Sequence, residues 1–129
     1  MTLLLDTHIA LWLVRDPSVL RPAELAAIER NEPVVSAISL WELRLKWDRV
    51  TAAGMRKGPA DPVDIRTGLD ILGIGIVALT PDQAIASLKY PMPHRDPFDE
   101  ILLIQAHELG ARLLTRDRLL INHPLAVTL

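Results

Sequence analysis

The chain has 129 residues, a formal net charge of −2 and no cysteine. Its length predicts a single domain over residues 1–129, and the cysteine count excludes disulfides and thiolate metal sites. The charge balance provides no global positive field that would attract nucleic acid. No apolar stretch approaches the roughly 20 residues that span a bilayer. Because the N-terminal run also lacks a basic leader, we expect a cytoplasmic protein without a signal peptide.

The first half of the chain alternates short apolar runs with amphipathic segments. Pro22 suits the first position of a helix, and Ser39 followed by Glu42 predicts a capping box at the start of another. The elements predicted here are, in order, strand 2–5, helix 8–14, helix 22–30, strand 33–36 and helix 39–47.

The second half continues the same alternation after a loop rich in Gly, Pro and Ala. Asp-Pro pairs open two of its helices, and Gly110 ends the last one. The predicted elements are loop 51–60, helix 61–72, strand 75–79, helix 80–88, extended connection 90–95, helix 96–110, strand 111–115 and a possible strand 125–129. The whole pattern predicts an α/β fold with a mainly parallel sheet of four to five strands covered on both faces.

Four acidic residues occur where such a fold would bring them together. Ligands of parallel sheets bind beyond the carboxyl ends of the strands. Asp6 directly follows the first strand, and Asp117 closely follows the fourth. We expect Glu42 on the first turn of the helix after the second strand, and Asp99 on the first turn of the helix before the fourth. The four carboxylates are therefore predicted to meet at one edge of the sheet.

Four carboxylates at one sheet edge would repel one another. A pair 4 Å apart costs about 4 kcal/mol at an effective dielectric constant near 20. Such groups must protonate, spread apart or bind cations. A ligand set made only of oxygen atoms favours Mg²⁺ or Mn²⁺. One or two such ions can activate a water molecule and clamp a phosphodiester.

Structural roles explain some of these acids equally well. Glu42 fits a capping box, and Asp96 fits an N-cap with Asp99 favouring the helix dipole. The DPVD segment at residues 61–64 repeats the DPFD pattern of residues 96–99, and we interpret it as capping alone. Asp117 fits the cap of a short helix as well as a metal ligand. Asp6 is the hardest to explain structurally, because a carboxylate directly after a buried strand is costly unless something satisfies it.

Four segments resemble the signature blocks of PIN-domain proteins, particularly VapC-type toxins of type II toxin–antitoxin systems. They are LLLDTHIALWL, VVSAISLWELRLKW, HRDPFDEILLIQA and RLLTRDRLL, which occur in the family's order between residues 3 and 120. The resemblance implies a three-layer α/β/α sandwich, an endoribonuclease dependent on Mg²⁺ or Mn²⁺, and inhibition by a cognate antitoxin. The family's arginine after the DPFD motif is replaced here by Glu100, which puts a phosphate contact at this position in doubt.

The resemblance implies that the family's acidic quartet falls on Asp6, Glu42, Asp99 and Asp117. As a mechanism, we expect Asp6, Asp99 and Asp117 to coordinate one ion directly, and Glu42 to complete the site directly or through water. Asp96 is expected to cap the helix or support the site. The hydroxyls of Thr7 and Thr115 would hold a carboxylate or a water, and packing or capping explains both equally well.

Basic residues are the candidates for holding an RNA backbone. A solvated surface explains the basic run equally well. The candidates are Arg44, Lys46, Arg49, Arg56 and Lys57 in that run, with Arg95, Arg116 and Arg118 near the acids.

Trp12, Trp41 and Trp47 lie on apolar helical faces, where core or partner packing is expected rather than base stacking. One interpretation, which the sequence leaves open, places Trp12 and Trp41 in a groove between the first and third helices, where an antitoxin or a second copy in a homodimer would dock. His94 could reach the substrate from its loop.

Two other enzyme or signalling classes share an Asp after the first strand. A haloacid-dehalogenase-type phosphatase needs a second Asp two residues later, where this chain has His8. A phospho-receiver domain needs an acidic pair after its first strand and a Lys near the last one, and neither is evident. The alternative that stays open is a PIN-like module that binds RNA or a protein without cleaving RNA.

Overall fold

The computed structural model describes residues 1–55 and 58–129, which form a five-stranded parallel sheet with helices on both faces. The strands are β1 (Thr2–Leu5), β2 (Glu32–Ser36), β3 (Gly75–Val77), β4 (Arg112–Leu114) and β5 (Ala126–Val127). Their order in the sheet is β3-β2-β1-β4-β5, so that β1 lies at the centre. In this register Leu4 is the partner of Val34 on one side and of Leu113 on the other.

Within the described residues, six helices cover this sheet: α1 (Thr7–Arg15), α2 (Pro22–Arg30), α3 (Ala37–Trp47), α4 (Pro62–Ile71), α5 (Pro81–Ile85) and α6 (Pro97–Glu108). Short 3-10 turns lie at Pro17–Val19 and Arg118–Leu120. None of the helices in the described part of the chain is long and apolar enough to cross a membrane.

The core is divided in two by the sheet, because successive side chains of a strand point to opposite faces. Leu3 and Leu5 pack with residues of α1, α2, α3 and α4 on one face. Leu4 packs on the other face with Leu102 and Leu103 of α6. The predicted α/β/α sandwich and its parallel sheet are therefore confirmed, with five strands.

The start of α3 differs from its prediction. The helix begins at Ala37, immediately after β2, and its N-cap is Ser36, whose Oγ accepts a hydrogen bond from the Ile38 N–H at 3.0 Å. The predicted capping box between Ser39 and Glu42 is therefore wrong. Ser39 is buried within the helix, and Glu42 is its sixth residue, on the second turn instead of the first.

Other helix starts agree with the sequence. Asp61 accepts a hydrogen bond from the Val63 N–H, and Asp96 accepts one from the Phe98 N–H, which confirms both as N-caps. Asp117 caps the 3-10 turn that follows β4. The helix predicted over 80–88 is shorter, because residues 84–87 are exposed and no buried apolar face sustains further turns.

Candidate active site

Acidic side chains from four separate segments line one cleft of about 440 Å³. The parallel topology explains this convergence, because β1 and β4 are neighbours and end at the same edge of the sheet. Asp6 directly follows β1, and Asp117 is the third residue after β4. The lining residues are Asp6, His8, Trp12, Glu42, Lys46, Asp96, Asp99, Arg116 and Asp117. All four acids of the predicted quartet therefore lie in the same cleft.

Asp6 is held on both carboxylate oxygens. Its Oδ1 accepts a hydrogen bond from the Thr7 N–H at 2.7 Å, so it also caps α1. Its Oδ2 accepts one from the Thr115 hydroxyl at 2.6 Å. Burial raises the pKa of Asp6, while the hydrogen bonds from Thr115 and Thr7 lower it. The Thr115 hydroxyl in turn accepts a hydrogen bond from the Asp117 N–H at 3.0 Å. Thr115 therefore connects two of the four acids.

Glu42 is oriented by polar contacts from α1 and from its own helix. Its Oε1 lies 2.8 Å from the Thr7 hydroxyl, which lies 2.9 Å from the Ser39 hydroxyl. Its Oε2 lies 3.0 Å from the Lys46 ammonium group one turn later, and only 15% of the Glu42 side chain is exposed. Thr7 and Ser39 are both buried. Glu42 is therefore an ordered carboxylate whose charge is partly balanced by Lys46.

Asp99 is a strongly perturbed acid of the cleft. Burial raises its pKa to about 8, and the charges of Asp6, Asp96, Asp117 and Glu42 add to the effect. Asp99 is the third residue of α6, three positions after the cap Asp96. Both causes, burial first and the neighbouring carboxylates second, disfavour the charged form of Asp99.

His94 is the residue that sequence reasoning undervalued. Its Nε2 lies 3.3 Å from Asp99 Oδ2 and 3.3 Å from Asp117 Oδ2. The histidines of the sequence show no metal-ligand spacing, so His94 was expected at most to reach substrate. The sequence feature that could have drawn attention to His94 is its position in HRDPFD, two residues before the N-cap Asp96. A side chain so close to the start of α6 lies near Asp99 on the first turn of that helix.

The donor set of the cleft fits a divalent cation. His94, Asp99 and Asp117 offer ligand atoms that all lie within 4.8 Å of one another. Asp6 and Glu42 line the same cleft and add carboxylate oxygens. Hard cations such as Mg²⁺ and Mn²⁺ prefer oxygen ligands. The neighbouring negative charges that add to the raised pKa of Asp99 would also attract a cation to this place.

The basic residues differ in whether they are already paired. Arg116 donates from Nε and one terminal nitrogen to Glu24 at 2.7 and 2.6 Å, and Glu24 is fully buried. These bonds lower the pKa of Glu24 and raise that of Arg116. Sequence reasoning missed Glu24, which ties α2 to the end of β4. Arg116 therefore has a structural role, and its contact with RNA stays a prediction.

The remaining candidate bases lie on or near the surface. Arg44 pairs with Asp48 at 3.1 Å, and Lys46 pairs with Glu42. Exposed side chains are those of Arg49, Arg95 and Arg118. Arg56 and Lys57 lie outside the described residues.

The predicted groove shared by Trp12 and Trp41 is wrong. Trp12 lines the acidic cleft, where its ring contacts His8 at a centroid distance of 5.6 Å and Arg116 at 4.5 Å. Trp41 packs against Phe98 at 5.4 Å. It lines a separate, mainly apolar groove of about 270 Å³ between α3 and α4. Trp12 therefore lies among the acids of the cleft, whereas the half-exposed Trp41 lies between α3, α4 and Phe98 of α6.

Comparisons with known proteins agree with this arrangement. The sequence matches the PIN domain family over residues 3–123. It is 33% identical over 128 residues to Ribonuclease VapC22 from Mycobacterium tuberculosis, an alignment that covers 95% of this chain and 92% of that protein.

Solved structures share the fold at lower sequence identity. VapBC2 from Rickettsia felis, bound to a promoter DNA fragment, aligns with a TM-score of 0.66 at 15% identity, covering 100% of this chain and 98% of that chain. A toxin–antitoxin complex from Klebsiella pneumoniae aligns with a TM-score of 0.61 at 21% identity, covering 97% and 95%. DNA-bound VapBC from Salmonella typhimurium aligns with a TM-score of 0.63 at 14% identity, covering 100% and 97%. By its sequence match, the chain belongs to the PIN domain family and is a relative of VapC proteins.

Proposed function

We propose that this protein is an endoribonuclease dependent on Mg²⁺ or Mn²⁺, and that it acts as the toxin of a toxin–antitoxin pair. The observation that supports this most directly is the meeting of Asp6, Glu42, Asp99 and Asp117 in one cleft. The relative named a ribonuclease, at 33% identity, supports the same activity.

In this proposal each acid has a defined task. Asp6, Asp99 and Asp117 bind the cation directly. Glu42, oriented by Thr7 and Lys46, completes the site directly or through a water molecule. When bound, the cation would polarise the scissile phosphate and lower the pKa of an attacking water. Thr115 keeps Asp6 and the Asp117 backbone in a fixed relation, so that these ligands need little reorganisation when the cation binds.

The RNA backbone would be held by exposed bases around the cleft. Arg95 directly precedes the cap of α6, and Arg118 directly follows Asp117. Both are exposed, so they can approach a phosphate without first breaking a buried ion pair. Lys46 lies in the cleft itself but is paired with Glu42, and its contact with phosphate would need that pair to open.

The biological part of the proposal rests on the named relatives. The aligned structures are described as VapBC and toxin–antitoxin complexes. We infer that this chain likewise binds a cognate antitoxin, acts on RNA in the cytoplasm and forms a homodimer. A short neighbouring reading frame that encodes a DNA-binding protein would support the pairing.

The substitution Asp6→Asn tests the activity. The amide still accepts the hydrogen bond that caps α1, but it removes a negative charge from the cleft. We expect cleavage of a structured RNA panel with Mg²⁺ or Mn²⁺ to disappear, while the circular dichroism spectrum is unchanged. Asp64→Asn is the matched control, because Asp64 lies exposed on the first turn of α4. Cleavage retained by highly purified Asp6→Asn protein would remove Asp6 from the mechanism.

Two further experiments separate an enzyme from a binding module. Wild-type cleavage should stop with a chelator and return when Mg²⁺ or Mn²⁺ is added. RNA binding without cleavage under both ions would favour the non-catalytic alternative. In cells, expression of the wild-type chain should be toxic, and Asp99→Ala should relieve that toxicity at the same protein level.

A further inference from the structure

His94 occupies an unusual position between two acids of the cleft. Its Nε2 is buried and, within the described part of the chain, has no hydrogen-bond partner. The same atom lies 3.3 Å from one carboxylate oxygen of Asp99 and 3.3 Å from one of Asp117. It is therefore close to both acids but aligned with neither. Catalytic hydrogen bonds are often long or poorly aligned before ligands bind and tighten only in the complex.

The other ring nitrogen determines where the proton of His94 is. The backbone N–H of Asp96 donates a hydrogen bond to His94 Nδ1 at 3.1 Å. A ring nitrogen that accepts a hydrogen bond carries no proton, so the neutral ring carries its proton on Nε2. Since this contact comes from the backbone at the cap of α6, it is fixed by the helix start itself. His94 therefore presents an N–H group, and not a lone pair, to Asp99 and Asp117.

This tautomer decides between two roles for the ring. A metal ligand must offer a lone pair on Nε2, which requires the proton on Nδ1 and the loss of the hydrogen bond from Asp96. A donor to the carboxylates keeps that bond and leaves the oxygens of both acids to the cation. The geometry favours the donor, although the ligand atoms of His94, Asp99 and Asp117 lie close enough together for a metal site.

We propose that His94 is a positioning residue, whose Nε2–H donates to the carboxylates of Asp99 and Asp117 and sets their separation when the divalent cation binds. This inference rests on the proposed function, because it assumes that the two acids bind a cation. Groups that hydrogen-bond to metal ligands typically contribute about 10- to 100-fold to metal affinity. His94 also connects α6 to the segment after β4, since its two acidic contacts come from these different elements.

Three variants distinguish the contact of Nδ1 from the contact of Nε2. His94→Gln places an amide N–H near the position of Nε2 and so retains the donor. His94→Asn places an oxygen near the position of Nδ1, so it retains the acceptor for Asp96 but is too short to reach the acids. His94→Ala retains neither. Comparable thermal unfolding of the three proteins in a chelator would show that the loop and α6 stay in place.

The test is a titration of the full-length chain with Mn²⁺, followed by electron paramagnetic resonance, with Mg²⁺ competition in the same samples. We expect His94→Ala and His94→Asn to weaken Mn²⁺ binding by about 10- to 100-fold, and His94→Gln to stay within a few-fold of wild type. The affinity for Mg²⁺ should fall by the same factor as that for Mn²⁺, because no ligand atom is removed.

Each other result overturns the inference in a recognisable way. Unchanged Mn²⁺ affinity in His94→Ala would show that the contact positions nothing. A selective loss of Mn²⁺ over Mg²⁺ would identify His94 as a ligand, since imidazole favours the softer ion. The variant Asp99→Asn, which lacks a proposed ligand, is the control for lost cation binding. If wild-type protein binds Mn²⁺ and Mg²⁺ no better than this control, the proposed cation dependence is overturned together with the inference.

Discussion

The starts of α4 and α6 are built on the same local pattern and have different surroundings. Both have an N-cap Asp, a Pro at the first helical position and an Asp at the third, in DPVD at 61–64 and DPFD at 96–99. Asp61 and Asp96 cap their helices in the same way. Asp64 is exposed, whereas Asp99 lies in the acidic cleft beside Asp117. The pattern therefore determines the helix start, and the topology determines whether its acid meets others.

The start of α2 adds a third outcome at the same helical position. Pro22 is its first residue and Glu24 its third, and Glu24 is fully buried against Arg116. An acid in the first turn of a helix is favoured by the helix dipole in every case. Its further role depends on the neighbour: solvent for Asp64, an arginine for Glu24, and other carboxylates for Asp99. Only an acid whose neighbours are also acids gains a reason to bind a cation.

The largest expected difference is in RNA cleavage between the single variants Asp99→Asn and Asp64→Asn. Asp99→Asn should lower RNA cleavage by about 100-fold or more, equivalent to about 2.7 kcal/mol of transition-state stabilisation, while Asp64→Asn leaves it unchanged. In a chelator, Asp99→Asn should also raise the melting temperature, because the neutral amide removes the cost of burying this carboxyl group and, second, its repulsion with the neighbouring acids. Equal activity in the two variants would show that the cleft does not distinguish Asp99 from an ordinary first-turn acid.

Glu24→Gln is expected to reduce stability without removing the acidic cleft. Loss of the charged hydrogen bonds with Arg116 should lower the free energy of unfolding by about 2 kcal/mol at pH 7. The hydrogen bond from Arg116 lowers the pKa of Glu24 in the folded state from its ordinary value of 4.5. The wild-type advantage should therefore be complete above that value and decline as the pH falls through the lowered pKa.

Urea unfolding of wild type and Glu24→Gln at neutral and strongly acidic pH measures this advantage directly. Asp64→Asn serves as the control, since the Asp64 carboxylate is exposed to solvent. A difference between wild type and Glu24→Gln that persists unchanged at strongly acidic pH would contradict an ionic role for Glu24.

The two N-cap residues should have similar effects on stability and different effects on activity. Asp61→Ala and Asp96→Ala each remove a side-chain acceptor at a helix start, which should cost about 1 kcal/mol in the free energy of unfolding. Only Asp96→Ala should also reduce cleavage, because α6 carries Asp99 and Asp96 itself lines the cleft. Thermal unfolding and the nuclease assay on the same preparations measure both. An activity loss in Asp61→Ala would show that helix stability alone controls cleavage.

The same comparison shows what the sequence can and cannot predict. The caps at Asp61, Asp96 and Asp117 follow from short-range chemistry, and the strand rule correctly brought Asp6 and Asp117 to one edge. The start of α3 was misplaced, because Ser36 ends β2 and caps the helix at once, which no local preference for Ser39 reveals.

Residues whose role depends on distant partners were harder to predict. Glu24 meets Arg116 across 92 positions of the chain, and His94 meets Asp117 only after the loop before α6 has folded against the end of β4. The sequence identifies neither partner, because the two residues of each pair come from different segments that meet only in the folded chain. Polar residues at the carboxyl end of the sheet were predictable as a group, but their pairwise partners were not.

The smallest expected difference is in RNA binding between variants of two basic residues, one beside α6 and one on α4. Arg95 directly precedes the cap of α6 at the cleft, whereas Arg66 lies exposed on α4. If Arg95 contacts a phosphate, Arg95→Ala should weaken RNA binding a few-fold and reduce the dependence of log affinity on log salt by about one contact. Arg66→Ala should leave both unchanged. Each arginine substitution is combined with Asp99→Asn, which is not expected to cleave the RNA. Binding of RNA by these proteins is then measured by fluorescence anisotropy over a series of salt concentrations. An unchanged slope in Arg95→Ala would assign Arg95 to the solvated surface, and recognition of the backbone would then depend on other bases.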